Sequence, residues 1–129
     1  MTYVVDTHAL LWFLTDSRRL GRRAGRILDD AETGTVKVYV PVIVLAELQP
    51  ILEGEYSRNT LPEFLLKVDA VKGFEVMNVT RRHVERLRDL GRIPEMHDRL
   101  IMALALEKNA KLLTADAAIE DSRLVDVVW

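Results

Sequence analysis

The chain has 129 residues, and 49% hydrophobic with 29% charged residues is typical of a folded soluble protein and unlike a disordered chain. The length predicts a single domain over residues 1–129. A net charge of -2 does not favour a broad, nonspecific nucleic-acid binder, because such proteins carry a basic surplus. An enzyme acting on nucleic acid is not excluded.

Short β-branched segments alternate with longer amphipathic segments along the chain. The first kind predicts strands at 3–6, 37–40, 75–79, 111–114 and 124–128. The second predicts helices at 8–15, 18–31, 42–53, 60–70, 80–90, 95–108 and 117–121. Strand-helix alternation favours an α/β fold, in which helices cover both faces of a parallel sheet. Pro50 is expected to kink or shorten the third helix, because proline removes one backbone donor.

No stretch of the sequence is long enough to predict a membrane span. The longest apolar run, at 38–46, is far below the roughly 18 residues that a span needs. The first residues lack the basic charge of a signal peptide. The chain has no cysteine, which excludes disulfides and thiolate metal ligands and fits a reducing compartment. We therefore expect a cytoplasmic protein without membrane contact.

Two aspartates follow predicted strands. Asp6 ends the first strand and Asp116 comes just after the fourth, in "LLTAD". In an open parallel sheet, ligands bind beyond the carboxyl ends of the strands. If the two strands are neighbours, both carboxylates face one crevice.

Two further acids lie on apolar helix faces. Glu47, in "PVIVLAELQPIL", shares its face with Ile43 and Ile51, and Asp98, in "MHDRLIMALAL", shares its face with Ile101. Buried carboxylates are costly unless they are paired, protonated or bound to metal. If all four acids converged, each pair at about 4 Å would repel by about 4 kcal/mol at an effective dielectric of about 20. Divalent cations would relieve this repulsion, and oxygen ligands favour Mg²⁺ or Mn²⁺.

Each acid also has a purely structural interpretation. Asp6 and Asp116 could cap the helices that follow them, and Asp98 could stabilise a first helical turn. Glu47 lies in mid-helix, where an ion pair with an arginine is the alternative. Glu120 and Asp121 are surface residues or outer carboxylates of the same site.

The remaining polar and aromatic candidates have open roles. Thr114 is either a plain strand residue or a hydroxyl that orients a ligand water. His8 is close enough to Asp6 to line the crevice and contact substrate, although a packing or capping role is favoured. We expect His97 to point elsewhere on its helix. For Trp12, a place in the core or an interface is favoured over a base-stacking platform.

Four segments in order resemble the PIN-domain ribonucleases, most closely the VapC-type toxins of toxin-antitoxin pairs. They are "VVDTHALLWFL", "VIVLAEL", "MHDRLIMALAL" and "KLLTADAAI", and the resemblance covers essentially the whole chain. It implies a three-layer α/β/α domain with a five-stranded parallel sheet ordered 3-2-1-4-5. It also implies an acidic site at Asp6, Glu47, Asp98 and Asp116, supported by Thr114.

The resemblance implies metal-dependent hydrolysis of RNA phosphodiester bonds. One or two Mg²⁺ or Mn²⁺ ions would activate a water and stabilise charge on the phosphate. Asp6 and Asp98 would be the central ligands, Glu47 would bind directly or through water, and Asp116 would serve a second site. A VapB-type antitoxin and a homodimer are the partners that the family implies.

Three rival functions remain open. A structure-specific DNA nuclease would use the same ions on the same bond. A doubly wound phosphoacceptor domain is the second, but the D-x-D pattern of the aspartyl-phosphate phosphatases fails at His8. A non-catalytic domain that retains the fold as a binding module is the third. The presence of all four acids speaks against it.

Overall fold

The computed structural model describes residues 1–54, 56 and 58–129, and within them five strands form one parallel sheet. The strands are β1 (Thr2–Val5), β2 (Lys37–Pro41), β3 (Phe74–Met77), β4 (Lys111–Leu113) and β5 (Val127–Val128). The helices are α1 (Thr7–Leu14), α2 (Arg22–Glu32), α3 (Val42–Glu53), α4 (Leu61–Ala70), α5 (Arg81–Glu85), α6 (Met96–Glu107) and α7 (Ala117–Ser122). A short 3₁₀ helix at Leu87–Leu90 lies between α5 and α6.

The strand order is β3-β2-β1-β4-β5, so the first strand lies at the centre of the sheet. It pairs with β2 on one side, where Val4 is opposite Tyr39, and with β4 on the other, where Val5 is opposite Leu113. Helices cover the sheet, as apolar strands buried on both faces require. The predicted α/β class, the three-layer arrangement and the 3-2-1-4-5 order are confirmed.

The core consists of the central strands and the inward faces of the helices. Val4, Val40, Leu112 and Leu113 are fully buried in the sheet. The helix α6 contributes a continuous buried segment from Leu100 to Ala105, which explains its almost uninterrupted apolar sequence. Among the described helices, none combines the length and apolar character needed to cross a membrane.

The element boundaries differ from the sequence prediction by more than two residues in three places. The helix expected from residue 18 begins at Arg22, after a loop in which Asp16 has a φ of 52°. The helix expected over 80–90 is divided into α5 and the 3₁₀ helix. The last strand has two residues instead of five. The helix α3 continues through Pro50 to Glu53, so its predicted bounds are confirmed and Pro50 does not shorten it.

Candidate active site

Adjacent strand ends bring the first and fourth segments together. The Asp6 amide donates to the Leu113 carbonyl at 3.2 Å and so extends the pairing of β1 with β4 by one residue. Asp6 then caps α1, because its Oδ1 accepts from the Ala9 amide at 2.8 Å. At the end of β4, Asp116 caps α7 through Oδ1, with the Ala118 amide at 2.8 Å. Both capping predictions are confirmed, and both carboxylates lie at the same edge of the sheet.

The environment of Asp6 opposes its ionisation. Burial raises the pKa of the Asp6 carboxyl above its ordinary value. Hydrogen bonds from the Thr114 hydroxyl and the Ala9 amide act in the opposite direction. Thr114 is buried, and its oxygen accepts from the Asp116 amide at 3.1 Å, which leaves its proton for Asp6. Thr114 therefore connects the two aspartates.

Glu47 reaches the same edge from α3. The buried Thr7 hydroxyl donates to Glu47 Oε1 at 2.8 Å, and His97 Nδ1 lies 3.4 Å from Glu47 Oε2. These partners, and not an arginine, surround the carboxylate. The side chain retains 28% exposure, so it is held in place while one side still faces solvent.

Asp98 lies in the first turn of α6, where the positive end of the helix dipole favours a carboxylate. The pKa of Asp98 is nevertheless raised to about 6, first by burial and then by the negative charges of Glu95, Asp116, Glu47 and Asp6. Negative charges raise the pKa of a carboxyl in this way only when they lie close to it. The electrostatics of Asp98 therefore connect all four predicted acids.

Sequence reasoning did not single out Glu95, which is a fifth carboxylate beside Asp98. It caps α6, since its Oε2 accepts from the Asp98 amide at 2.9 Å. Its other oxygen lies 3.4 Å from His97 Nδ1. The signal available in the sequence was its position, three residues before Asp98 at the start of a predicted helix.

The four predicted acids line one cavity of about 730 Å³. Its wall also contains Thr7, His8, Trp12, Ile43, Ala46, Pro50, Ile51, Glu95, His97, Ile101 and Ala115. Within residues 1–54, 56 and 58–129, no three acidic or histidine side chains lie close enough to hold one metal ion together. Glu120 and Asp121 are exposed and line a separate depression.

The three histidines have different environments. His8 is exposed and lines the cavity, which agrees with the less favoured of its two sequence interpretations. His97 also lines the cavity, so the expectation that it points elsewhere is wrong. Its Nδ1 lies 3.4 Å from a carboxylate oxygen of Glu47 and 3.4 Å from one of Glu95. His83 is buried outside the cavity, where its Nδ1 accepts from the Thr80 amide at 2.9 Å.

A family model described as the PIN domain matches residues 3–123. The chain belongs to the PIN domain family. This confirms the resemblance carried by the four sequence motifs and agrees with the strand order. No curated protein sequence matches the chain.

Several solved structures share the PIN fold of this chain. VapBC2 from Rickettsia felis, bound to a promoter DNA fragment, is 19% identical with a TM-score of 0.67, over 99% of this chain and 98% of that one. A toxin-antitoxin complex from Klebsiella pneumoniae is 19% identical with a TM-score of 0.68, over 98% and 96%. FitAcB from Neisseria gonorrhoeae is 18% identical with a TM-score of 0.68, also over 98% and 96%.

Proposed function

We propose that this PIN domain is a metal-dependent endoribonuclease and the toxin of a type II toxin-antitoxin pair. One observation carries the nuclease proposal: Asp6, Glu47, Asp98 and Asp116, from four separate segments, line one cavity at the carboxyl edge of the sheet. The toxin assignment is supported by the fold shared with proteins described as toxin-antitoxin complexes.

The side chains around the cavity suit Mg²⁺ or Mn²⁺. All four proposed ligands are carboxylates, and hard divalent cations prefer oxygen ligands. Burial, and to a smaller extent the neighbouring carboxylates, raises the pKa of Asp6 and of Asp98, and a bound divalent cation would offset both effects. Some side-chain rotation is required before three of these groups can share an ion. Once bound, one or two ions would supply an activated water and offset the charge that grows on the phosphate.

The residues of the chain have separate tasks in this proposal. Asp6 and Asp98 are the central ligands, Asp116 serves a second position, and Glu47 binds directly or through water. Thr114 holds Asp6 and the Asp116 backbone in register. His8 lies at the rim, where it contacts substrate. The single domain over residues 1–129 acts in the cytoplasm.

Partner proteins form part of the same proposal. A VapB-type antitoxin would block the acidic cavity with a basic segment, which negative charge in a crevice attracts. A homodimer is the assembly that the fold family suggests. Size-exclusion chromatography with light scattering, with and without the antitoxin encoded beside the gene, measures both assemblies.

The decisive experiment compares cleavage of matched RNA and DNA in Mn²⁺ by the native chain, Asp6→Asn and Asp98→Asn. We expect RNA cleavage to fall at least about a hundredfold in each variant, because mutation around a metal site costs that order of activity. EDTA should abolish cleavage by the native chain. Glu120→Gln is the control, because Glu120 lies outside the cavity. Folded Asp variants that cut RNA as fast as the control would contradict the proposal. Preferential cleavage of DNA by the native chain would show that the substrate is DNA and not RNA.

A further inference from the structure

A second, smaller cavity of about 200 Å³ continues from the acidic one. Both cavities have His8, Trp12, Pro50 and Ile51 in their walls, so the two form one groove. Beyond these shared residues, the smaller cavity is lined by Leu11, Arg19, Gly54 and Tyr56. The groove therefore changes along its length from carboxylates, through aromatic rings, to a guanidinium.

The aromatic rings project from one face of α1. His8 and Trp12 are one turn apart, and their ring centroids lie 5.4 Å from each other with planes tilted by 51°. His8 is exposed and Trp12 is half-buried. The Trp12 ring is supported on another side by Trp129, at 5.8 Å in an edge-to-face arrangement. A supported aromatic ring in an open groove can accept a planar ligand at little cost in side-chain freedom.

The support behind Trp12 depends on a glycine. A Cβ added to Gly21 would lie 2.6 Å from the Trp129 backbone and 2.7 Å from its ring. Trp129 therefore packs directly on the backbone of Gly21, where no side chain fits. This contact fixes Trp129 and, through it, the position of the Trp12 ring.

Arg19 is held at the far end of the groove by the loop that follows α1. The Ser17 amide donates to the Trp12 carbonyl at 2.8 Å, and the Arg19 amide donates to Ser17 Oγ at 3.1 Å. This turn places the exposed Arg19 side chain two residues after Ser17, whose backbone is held by the Trp12 carbonyl. The opposite end of the same groove carries carboxylates, which repel phosphate until cations neutralise them.

We propose that this groove, defined by His8, Trp12 and Arg19, binds the nucleotide next to the scissile phosphate of single-stranded RNA. The base stacks on the Trp12 ring, the tilted His8 ring contacts it from the side, and Arg19 pairs with the following phosphate. Aromatic platforms combined with a cation are the usual means of holding single strands. The proposal rests on the proposed ribonuclease function and adds a nucleotide subsite outside the acidic cavity, which bases stacked in a duplex cannot reach.

The first test measures RNA cleavage by Trp12→Leu, Trp12→Phe, Arg19→Ala and Arg18→Ala. We expect KM to rise about tenfold in Trp12→Leu and Arg19→Ala, equivalent to about 1.4 kcal/mol, with kcat changed less than KM. Trp12→Phe should retain most of the affinity, because it keeps a ring. Arg18→Ala is the matched control, since among the described residues Arg18 lies outside both cavity walls. Circular dichroism confirms that each variant is folded.

The second test separates phosphate pairing from packing by salt dependence. Binding of a fluorescein-labelled single-stranded RNA pentamer to Asp98→Asn, which is not expected to cleave, is followed by fluorescence anisotropy. Adding Arg19→Ala should reduce the slope of log K against log salt by about 0.7, the value for one phosphate contact on a single strand, and adding the control Arg18→Ala should not. Adding Trp12→Leu should weaken binding and leave this slope unchanged. A duplex of the same sequence should compete poorly.

The outcomes distinguish the groove from the nuclease. If Arg19→Ala matches Arg18→Ala in KM and in salt slope, the groove does not bind the substrate. A second result would also overturn the proposal. In it, Trp12→Leu cleaves RNA with the native KM but no longer binds an apolar dye that the native chain binds, as expected if the groove holds a protein segment. If the native chain does not cleave RNA, the ribonuclease proposal fails, while the pentamer titration still decides whether the groove binds single strands.

Discussion

Thr7 shows how one residue of this site can orient the side chain of another. It follows Asp6 directly, yet its hydroxyl donates to Glu47, which is 40 positions away. Because His97 lies near the second oxygen, both oxygens of the Glu47 carboxylate are oriented by the protein. Thr7 is therefore a positioning residue for Glu47.

We predict that Thr7→Val weakens Mn²⁺ binding about tenfold, the lower end of the cost of removing an outer partner from a metal ligand. Valine keeps the shape of threonine but cannot donate to Glu47. Thr7→Ser restores the hydroxyl and should recover most of the affinity. Mn²⁺ titration followed by electron paramagnetic resonance gives the affinity without any cleavage reaction. Equal affinities in the valine and serine variants would show that packing alone matters at this position.

The raised pKa of Asp98 leads to a second prediction, on how the free energy of unfolding depends on pH. Its pKa is about 6 in the folded protein against 3.8 in its ordinary state. The folded protein therefore binds more protons than the unfolded chain between about pH 4 and 6, and this group's contribution to the free energy of unfolding falls as the pH rises through that interval. Ionised Asp98 destabilises the metal-free protein at neutral pH.

Asp98→Asn should consequently stabilise the metal-free protein at neutral pH by about 1 kcal/mol, a value discounted from the full pKa shift because solvent screens a half-exposed carboxyl. Near pH 4 the native chain and the variant should have the same stability. Urea unfolding in EDTA at both pH values measures the difference. A variant that is less stable than the native chain at neutral pH would contradict the assigned cause of the shift.

At the scale of elements, α6 is held by the segment that precedes it. The Arg99 guanidinium, one residue after Asp98, donates from Nε to the Ile93 carbonyl. It also lies 3.5 Å from the carbonyls of Leu87 and Gly91. One side chain thus connects the start of α6 to the segment leading into Glu95 and Asp98.

We predict that Arg99→Ala lowers the free energy of unfolding by about 2 kcal/mol, because it leaves polar backbone groups without their charged donor. Arg99→Lys should recover only part of this, since an ammonium cannot reproduce the planar fork of the guanidinium. Hydrogen exchange should increase first over residues 87–95. Uniform loss of protection throughout the chain, with no early change there, would argue against a local clamp.

At the scale of the whole molecule, the proposed ion site predicts that the stability of the fold depends on divalent cations. Mn²⁺ at about 100 times its dissociation constant should stabilise the native chain by about 2.7 kcal/mol, because the ion binds the folded state alone. Asp6→Asn should lose most of this gain. Thermal unfolding with and without Mn²⁺ measures the difference, and Glu120→Gln is the matched acidic control. Equal Mn²⁺ shifts in all three proteins would indicate binding elsewhere.

The fold was largely predictable from the sequence, because its signals are local. Apolar β-branched runs, amphipathic helices and capping aspartates each depend on a few neighbouring residues. The predicted boundaries were wrong where tertiary packing decides, as in the short β5 and the divided helix after Thr80. The edge position of Asp6 and Asp116 followed from a general rule for parallel sheets.

By itself, the sequence determined the strand-helix alternation and the four acids, because each of these is a local pattern. Only the tertiary structure decided the partners of Glu47, the inward position of His97, the fifth carboxylate at Glu95 and the groove toward Arg19. These features arise from contacts between residues that are distant along the chain, or from rotation about a helix axis that periodicity does not specify. Side-chain contacts of this kind exist only once the sheet has brought its segments together.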